Sequence, residues 1–386
     1  MPSEVRRPIR ALGALLLASG LLASGLAVAG PTTAPAGADA IDTLVRDRLA
    51  RADAPPGFAL AILDQGRPTL VRSYGLANLE QTTPVDEASV FPIASITKTF
   101  TALAILLLEQ DGRLATGDPL ARFLPDFPNA GRITLRDLLV HTSGIAEFTQ
   151  LPPFATDQAR DWRPDELIAL VAAAPPLDPP GQVCRYSDSG YILLGRVVEL
   201  ASGQSFMDYV REHVARRLAM PSIVPGSHQA LILRRADGYA RAGQAWDNAP
   251  YVSLEAPWAA GGLMGRVGDL VNLAQALRPD GPLLRPASYQ AMVAPVILKD
   301  GQPCRLPLPG AEATYGYGLE IVRFDDLPEH RAIGKSGVFP GYSGYVAAFE
   351  GTGLTIAALA NADGSLPFTV ETVHELARLL LRPPAP

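Results

Sequence analysis

Ser95 and Lys98, in Ser95-Ile96-Thr97-Lys98, stand three residues apart at the start of an apolar run, Thr97 to Gln110, that reads as a helix closed by Asp111-Gly112. Residues three apart are neighbours on one helix face. A hydroxyl where backbone N–H groups converge, with an amine one turn on, has the parts of an activated nucleophile. The same pair would also serve as a helix cap and a solvated lysine, because Ser is a favoured cap. Composition favours chemistry. Of 33 basic side chains only Lys98, Lys299 and Lys335 are lysine. Arg fills nearly every position where a charge need only be solvated, whereas Lys can release its proton and act as base or relay.

Two further segments could complete a site. Tyr186, in Tyr186-Ser187-Asp188, would have its pKa lowered by two nearby ammonium groups; it could then take the serine proton and pass it to a leaving group. In Lys335-Ser336-Gly337 a cation and a hydroxyl could hold a substrate carboxylate or carbonyl. Gly337 would let a strand approach closely, and the Val338 N–H would join that of Ser95 as an oxyanion donor. Two other patterns fail. Ile333-Gly334-Lys335-Ser336 lacks the earlier glycine of a phosphate-binding loop, with Glu329 in its place, and Gly341-Tyr342-Ser343-Gly344 has Tyr345 where a nucleophile elbow needs glycine.

SITK, YSD and KSG, in this order, resemble the three active-site motifs of the serine β-lactamase and penicillin-binding protein superfamily. The flanking text is similar to its class C-like branch at Phe91–Phe100, Ile133–Ile145, Tyr186–Gly195, Ala259–Leu263 and Tyr315–Gly318, and the resemblance runs from about residue 45 to 381. It implies Ser95 as nucleophile, Lys98 as its activator, Tyr186 as general base and acid, and Lys335 as an electrostatic anchor near substrate. Asp188, Ser336, Gly337 and Val338 join Lys335 around the substrate, with the Ser95 and Val338 N–H groups as oxyanion donors. No metal or organic cofactor is implied. His141, in His141-Thr142-Ser143-Gly144, is read as mainly structural. The chain departs from the branch in having Asp188 where Asn is usual. Setting Ser187-Asp188-Ser189 against the class A Ser-Asp-Asn motif would make Ser187 the proton shuttle, and both assignments stay open at this point.

The elements that must position these residues come from both chain ends. Ile41, Leu44, Val45 and Leu49 share one helical face; Gly57–Leu63 and Thr69–Tyr74 read as a hairpin; strands return at Tyr317–Phe324, Tyr345–Glu350 and Leu354–Ala360, and Val370–Leu381 reads as a closing helix. Between them, Leu135–Leu139, Pro164–Ala173, Tyr191–Ala201 and Phe206–Leu218 read as helices among proline-rich loops. The expected fold is α/β (α+β): a mixed, largely antiparallel sheet flanked by helices, with an inserted all-helical lobe, β-lactamase/transpeptidase-like. The sheet lobe would span about 41–112 and 296–386, the helical lobe about 113–295, and together they form one hydrolase domain, 41–386.

Residues 1–29 read as a signal peptide, with Arg6, Arg7 and Arg10 before the apolar stretch Ala11–Ala29; cleavage could fall as late as residue 40, after a flexible linker over 30–40. The chain is therefore expected to be exported, periplasmic or secreted, with no stable membrane span after processing. In an exported chain, Cys184 and Cys304 suggest one disulfide, with two separate buried thiols as the alternative that stays open. A formal charge of −6 with no basic run beyond the first ten residues argues against nucleic acid, and the five histidines show no metal-ligand spacing. The expected partner is a small-molecule or peptide substrate: a β-lactam, a D-Ala-D-Ala peptide or a small ester. The rival reading is a non-catalytic binding or cell-wall-sensing protein on the same scaffold.

Overall fold

A computed structural model describes residues 38–64 and 69–381. The segment read as a signal peptide and most of the expected linker lie outside these residues, as does the tip of the first expected hairpin. The linker ends earlier than expected, because the helix Ala38–Leu49 already contains Ala38, Asp39 and Ala40.

Strands from the two ends of the chain meet in one nine-stranded sheet. Its spatial order is Thr83–Pro84, Leu70–Asn78, Gly57–Asp64, Leu354–Ala360, Tyr342–Phe349, Arg331–Phe339, Glu320–Arg323, Ala311–Tyr315 and Arg305–Leu308. The seam is the pairing of Gly57–Asp64 with Leu354–Ala360, in register from Phe58 opposite Ala360 to Asp64 opposite Leu354. Neighbouring strands are antiparallel throughout, so this sheet is antiparallel rather than mixed.

Alternation of side chains divides the burial between two faces. Phe58, Leu60, Tyr345, Ala347, Ile356 and Ala358 pack with Ile41, Val45, Phe368 and Val373 of the first and last helices. Arg48, buried, clamps those helices by ion pairs to Glu371 at 2.9 Å and Glu375 at 2.6 Å. The opposite residues, including Ala59, Ala61, Val346 and Ala357, join the core that contains the helix Thr97–Gln110. That helix keeps the bounds expected from the sequence and is buried from Thr97 through Leu108, which explains why it is apolar on every side.

The intervening lobe is not all-helical. It contains a ribbon of Tyr239–Ala242 with Ala245–Asn248, and Val224–Pro225 and Leu263–Gly265 form a small sheet with Phe91–Pro92. Such strands are too short to show a period-2 pattern. One helix begins earlier than its apolar periodicity suggests, at Asp188, and runs to Ser202. The segment expected as a single helix, Phe206–Leu218, is α-helical over Phe206–Tyr209 and then widens into a π-helical turn over Val210–Ala215. Among the described residues no helix is long and apolar enough to cross a membrane.

Candidate active site

Ser95 sits in a 3-10 turn, Ala94–Ile96, that feeds directly into the helix Thr97–Gln110. Ala94 has φ of +49°, a conformation that costs a non-glycine residue about 1–2 kcal/mol. The cost falls on the residue immediately before the serine. Lys98, fully buried, uses its three donors on three acceptors: Ser95 Oγ at 3.0 Å, the Ala260 carbonyl at 2.8 Å and the Asp188 carboxylate in a short ion pair. The helix that presents Lys98 is itself pinned at both sides. Thr101 Oγ1 donates to the Ala259 carbonyl at 2.6 Å and Thr99 Oγ1 to the Gly318 carbonyl at 2.7 Å.

Asp188 owes its position to the start of its helix. Glu147, nearly buried, accepts the N–H groups of Asp188 at 2.6 Å and Ser189 at 3.2 Å, while the Ser187 hydroxyl accepts that of Gly190 at 3.3 Å. These caps satisfy the first N–H groups and let the helix start three residues before its apolar face. Burial and the neighbouring Asp188 push the Glu147 carboxyl up from its ordinary range. Ser187 is occupied with capping, and its own N–H donates to His141 Nδ1 at 3.1 Å. The geometry therefore favours Tyr186 over Ser187 as the group that meets the nucleophile.

The Tyr186 ring lies between the two lysines, with Lys98 Nζ 4.8 Å and Lys335 Nζ 5.4 Å from its centroid, and His141 packs on it at 4.4 Å. The Ser95 hydroxyl is close enough to act on the phenol's ionisation. That ionisation runs opposite to the expectation from sequence. Burial pushes the phenol well above its ordinary value; Lys335 pulls it down, but Asp188 and Glu320 push it up again. Each ammonium has its own carboxylate, so their joint pull on the phenol is largely cancelled.

His141, at φ of +61°, is also buried. Burial and the two lysines hold its imidazole well below the usual histidine range, so it is neutral. With Nδ1 accepting from Ser187, the ring proton belongs on Nε2, which has no partner among the described residues. His141 thus positions Tyr186 and Ser187, in keeping with a structural reading.

Lys335, Ser336, Gly337 and Val338 lie on the strand Arg331–Phe339, whose pairing with Glu320–Arg323 ends at Gly334 opposite Glu320. From Lys335 onward that side of the strand is open, and it faces the serine turn. A Cβ on Gly337 would fall 2.4 Å from the Ile93 carbonyl oxygen and 3.2 Å from Ser95 N, so glycine is required for the approach. Ser336 N–H leaves on this open side, because it donates to Glu320 Oε2 at 3.0 Å. Alternation along the strand sends the Val338 N–H the same way. Ser95 N and Val338 N thus lie on facing segments, the serine turn and the strand that approaches it.

Glu320 was missed by sequence reasoning. Its carboxylate accepts from Lys335 Nζ and, at 2.7 Å, from Ser336 Oγ, in addition to Ser336 N. Lys335 and Glu320 are both buried, at 2% and 5% exposure. Glu320 follows Tyr315-Gly316-Tyr317-Gly318-Leu319 directly, so the signal was a lone acid opening a strand next to a segment already singled out. Cys184 and Cys304 form a disulfide, Cα atoms 5.4 Å apart, which ties the loop before Tyr186 to the segment leading into the last strands. Among the described residues no cluster of His, Cys, Asp and Glu has the makings of a metal site.

Comparison with known proteins bears on the family and the fold. Residues 41–380 match the Beta-lactamase family model. Penicillin-binding protein 4* of Bacillus subtilis (strain 168) is 28% identical over 306 residues, a match covering 75% of this chain but only 65% of that protein's length. Penicillin-binding protein 4 of Amycolatopsis lactamdurans is 27% identical over 345 residues, covering 83% and 84% of the two chains. Among solved structures, D-amino acid amidase from Ochrobactrum anthropi SV3, complexed with L-phenylalanine, superimposes with a TM-score of 0.78 at 25% identity, over 89% of this chain and 98% of the amidase. The penicillin binding protein from Bacillus halodurans gives a TM-score of 0.73 at 25% identity, over 88% and 99%. The chain belongs to the Beta-lactamase family.

Proposed function

We propose that this chain is an exported serine hydrolase that cleaves a small ester or amide through an acyl-enzyme on Ser95. The observation that carries the reading is the contact of Lys98 Nζ with both Ser95 Oγ and the Asp188 carboxylate, next to the Tyr186 ring. Lys98 first hands a proton to Asp188 Oδ1, which frees its lone pair; as Ser95 Oγ then bonds to the substrate carbonyl carbon, the serine proton passes to Lys98 Nζ. The carbonyl oxygen gathers charge facing the Ser95 and Val338 N–H groups, each such donor being worth roughly a hundred- to a thousandfold in rate. Tyr186, still carrying its proton at neutral pH, then protonates the departing nitrogen or oxygen. The proton held by Asp188 returns through Lys98 to the phenolate. Water repeats the sequence on the acyl-enzyme, releasing the acid and restoring Ser95.

An amide is well within reach, because a neutral phenol is a competent acid for an amine leaving group. The likeness to D-amino acid amidase supports that choice. A non-catalytic sensor is the weaker reading, since binding alone does not require the buried contact between Lys98 and Ser95. The test is covalent labelling by a fluorophosphonate, read by mass spectrometry on wild type and Ser95→Ala. A single adduct on the peptide containing Ser95, absent from a folded Ser95→Ala protein, is expected. Full labelling of that variant would falsify the nucleophile assignment.

A further inference from the structure

A lysine ammonium, a serine hydroxyl and an open strand N–H, all next to the nucleophile, make a receptor for a carboxylate. Lys335 Nζ, Ser336 Oγ and Ser336 N are such a set, and one residue further Gly337 touches the serine turn. In this chain the receptor is already filled. Glu320 places both carboxylate oxygens on the three donors, Oε1 on Lys335 and the hydroxyl, Oε2 on the backbone N–H. It also stands where the next rung of the ladder would be, because pairing with Glu320–Arg323 stops at Gly334.

We propose that Glu320 is the specificity-determining residue of this site: its carboxylate occupies the place of a substrate carboxylate and restricts the enzyme to acyl donors that carry none there. The inference rests on the serine-hydrolase reading and names its substrate class, uncharged esters and amides. Two arguments carry it. The first is occupancy. All three groups already donate to Glu320, so an arriving anion would have to share Lys335 with a buried carboxylate or displace a charge-assisted set. The second is charge. Lys98 is paired with Asp188 and Lys335 with Glu320, so the formal charges of the four side chains cancel and the site offers an anion no net attraction. A substrate that carried a carboxylate at this point would meet two carboxylates and two lysines already paired with them.

The matched probes are the thioester of benzoylglycine with thioglycolate and the same compound as its methyl ester. They share the scissile bond and differ in one charge. Wild type is expected to prefer the methyl ester. Glu320→Ala and Glu320→Gln should shift the ratio of kcat/KM toward the carboxylate by about ten- to a hundredfold, the value of one or two charge-assisted hydrogen bonds. Because an unpaired buried lysine can compromise folding, a second readout accompanies the first. Sodium acetate, against sodium chloride at equal ionic strength, should raise the Tm of Glu320→Ala and leave that of wild type unchanged. A ratio that stays at the wild-type value in both variants, or a folded Glu320→Ala that ignores acetate, overturns the proposal. Loss of all thioester hydrolysis in wild type would instead count against the serine-hydrolase reading, and the acetate shift would still report on the carboxylate receptor.

Discussion

Replacing Gly337 with alanine tests the oxyanion geometry at a position that makes no side-chain contact with substrate. The new Cβ would lie 2.4 Å from the Ile93 carbonyl oxygen and 3.2 Å from both Ala94 Cβ and Ser95 N. Carbon and carbonyl oxygen settle at about 3.3 Å, so strand and serine turn must part by roughly 0.9 Å. The obstacle is backbone, which has no rotamer through which to escape. A misplacement of about 1 Å in a catalytic constellation costs on the order of a hundredfold, as does loss of one oxyanion donor. The expected result is a fall of about a hundredfold in kcat/KM for p-nitrophenyl acetate, most of it in kcat. Gly344, opposite Gly337 in the neighbouring strand, supplies the control. A Cβ there meets Leu359 Cδ2 at 2.7 Å and Ile96 Cδ1 at 3.2 Å, both ends of side chains that can turn aside. Gly344→Ala should lose about 1–3 kcal/mol of stability by overpacking, with a much smaller effect on rate. If Gly337→Ala keeps more than about a third of wild-type kcat/KM at an unchanged Tm, the Val338 and Ser95 donors do not act together and the argument fails.

Two further outcomes follow from the charges around Tyr186. Asp188→Asn exchanges a group that only accepts for one that also donates, so penicillin acylation should rise relative to p-nitrophenyl ester hydrolysis by about tenfold or more, even as the ester rate falls with the loss of the proton acceptor; an unchanged or lowered ratio in stopped-flow acylation by a chromogenic cephalosporin would refute this. His141, held neutral when folded, contributes stability that is fully present above its ordinary value of 6.5 and is lost as pH falls through the depressed folded value. Below 6.5 the unfolded chain takes the proton first, which costs up to about 1.4 kcal/mol per pH unit. His141→Asn retains an acceptor for Ser187 N–H and tolerates the positive φ, so it should flatten that slope in urea titrations from pH 7 to 5; an unaltered slope would show that the imidazole is not the group concerned.

What the sequence made legible was local or repetitive. The helix Thr97–Gln110 has the bounds its apolar run implies, and the strand Leu354–Ala360 is likewise unshifted. Order along the chain was enough to place strands from both ends in one sheet, because apolar segments of that length have nowhere else to bury. The helix at Asp188 was read as starting at Tyr191 because its first turn is held by polar caps, and the residue responsible, Glu147, comes from another loop. The short ribbon Tyr239–Asn248 was invisible for a different reason: two strands of four residues carry too few alternations to stand out from loop.

The error over Tyr186 has the same root as the omission of Glu320. Two lysines near a phenol predict a lowered pKa only if those charges stand alone, and a sequence shows the cations without showing what surrounds them. A buried ammonium is costly without an anion within hydrogen-bond reach. Scarcity of lysine already marked Lys98 and Lys335 as residues kept for a local purpose, and Lys98 is buried with nothing but acceptors around its nitrogen. The same physical requirement applied to Lys335 calls for a second carboxylate close to its strand. Six acidic residues, Asp300, Glu312, Glu320, Asp325, Asp326 and Glu329, lie between Tyr289 and Lys335. Of these Glu320 alone follows the glycine-rich Tyr315–Gly318 segment that bends back to Lys98, through the contact of Gly318 with Thr99. Requiring one anion for each of these lysines would have narrowed the search to those acids, and the contact of Gly318 with Thr99 then singles out Glu320, which turns the expected pull on Tyr186 into the balance that the site displays.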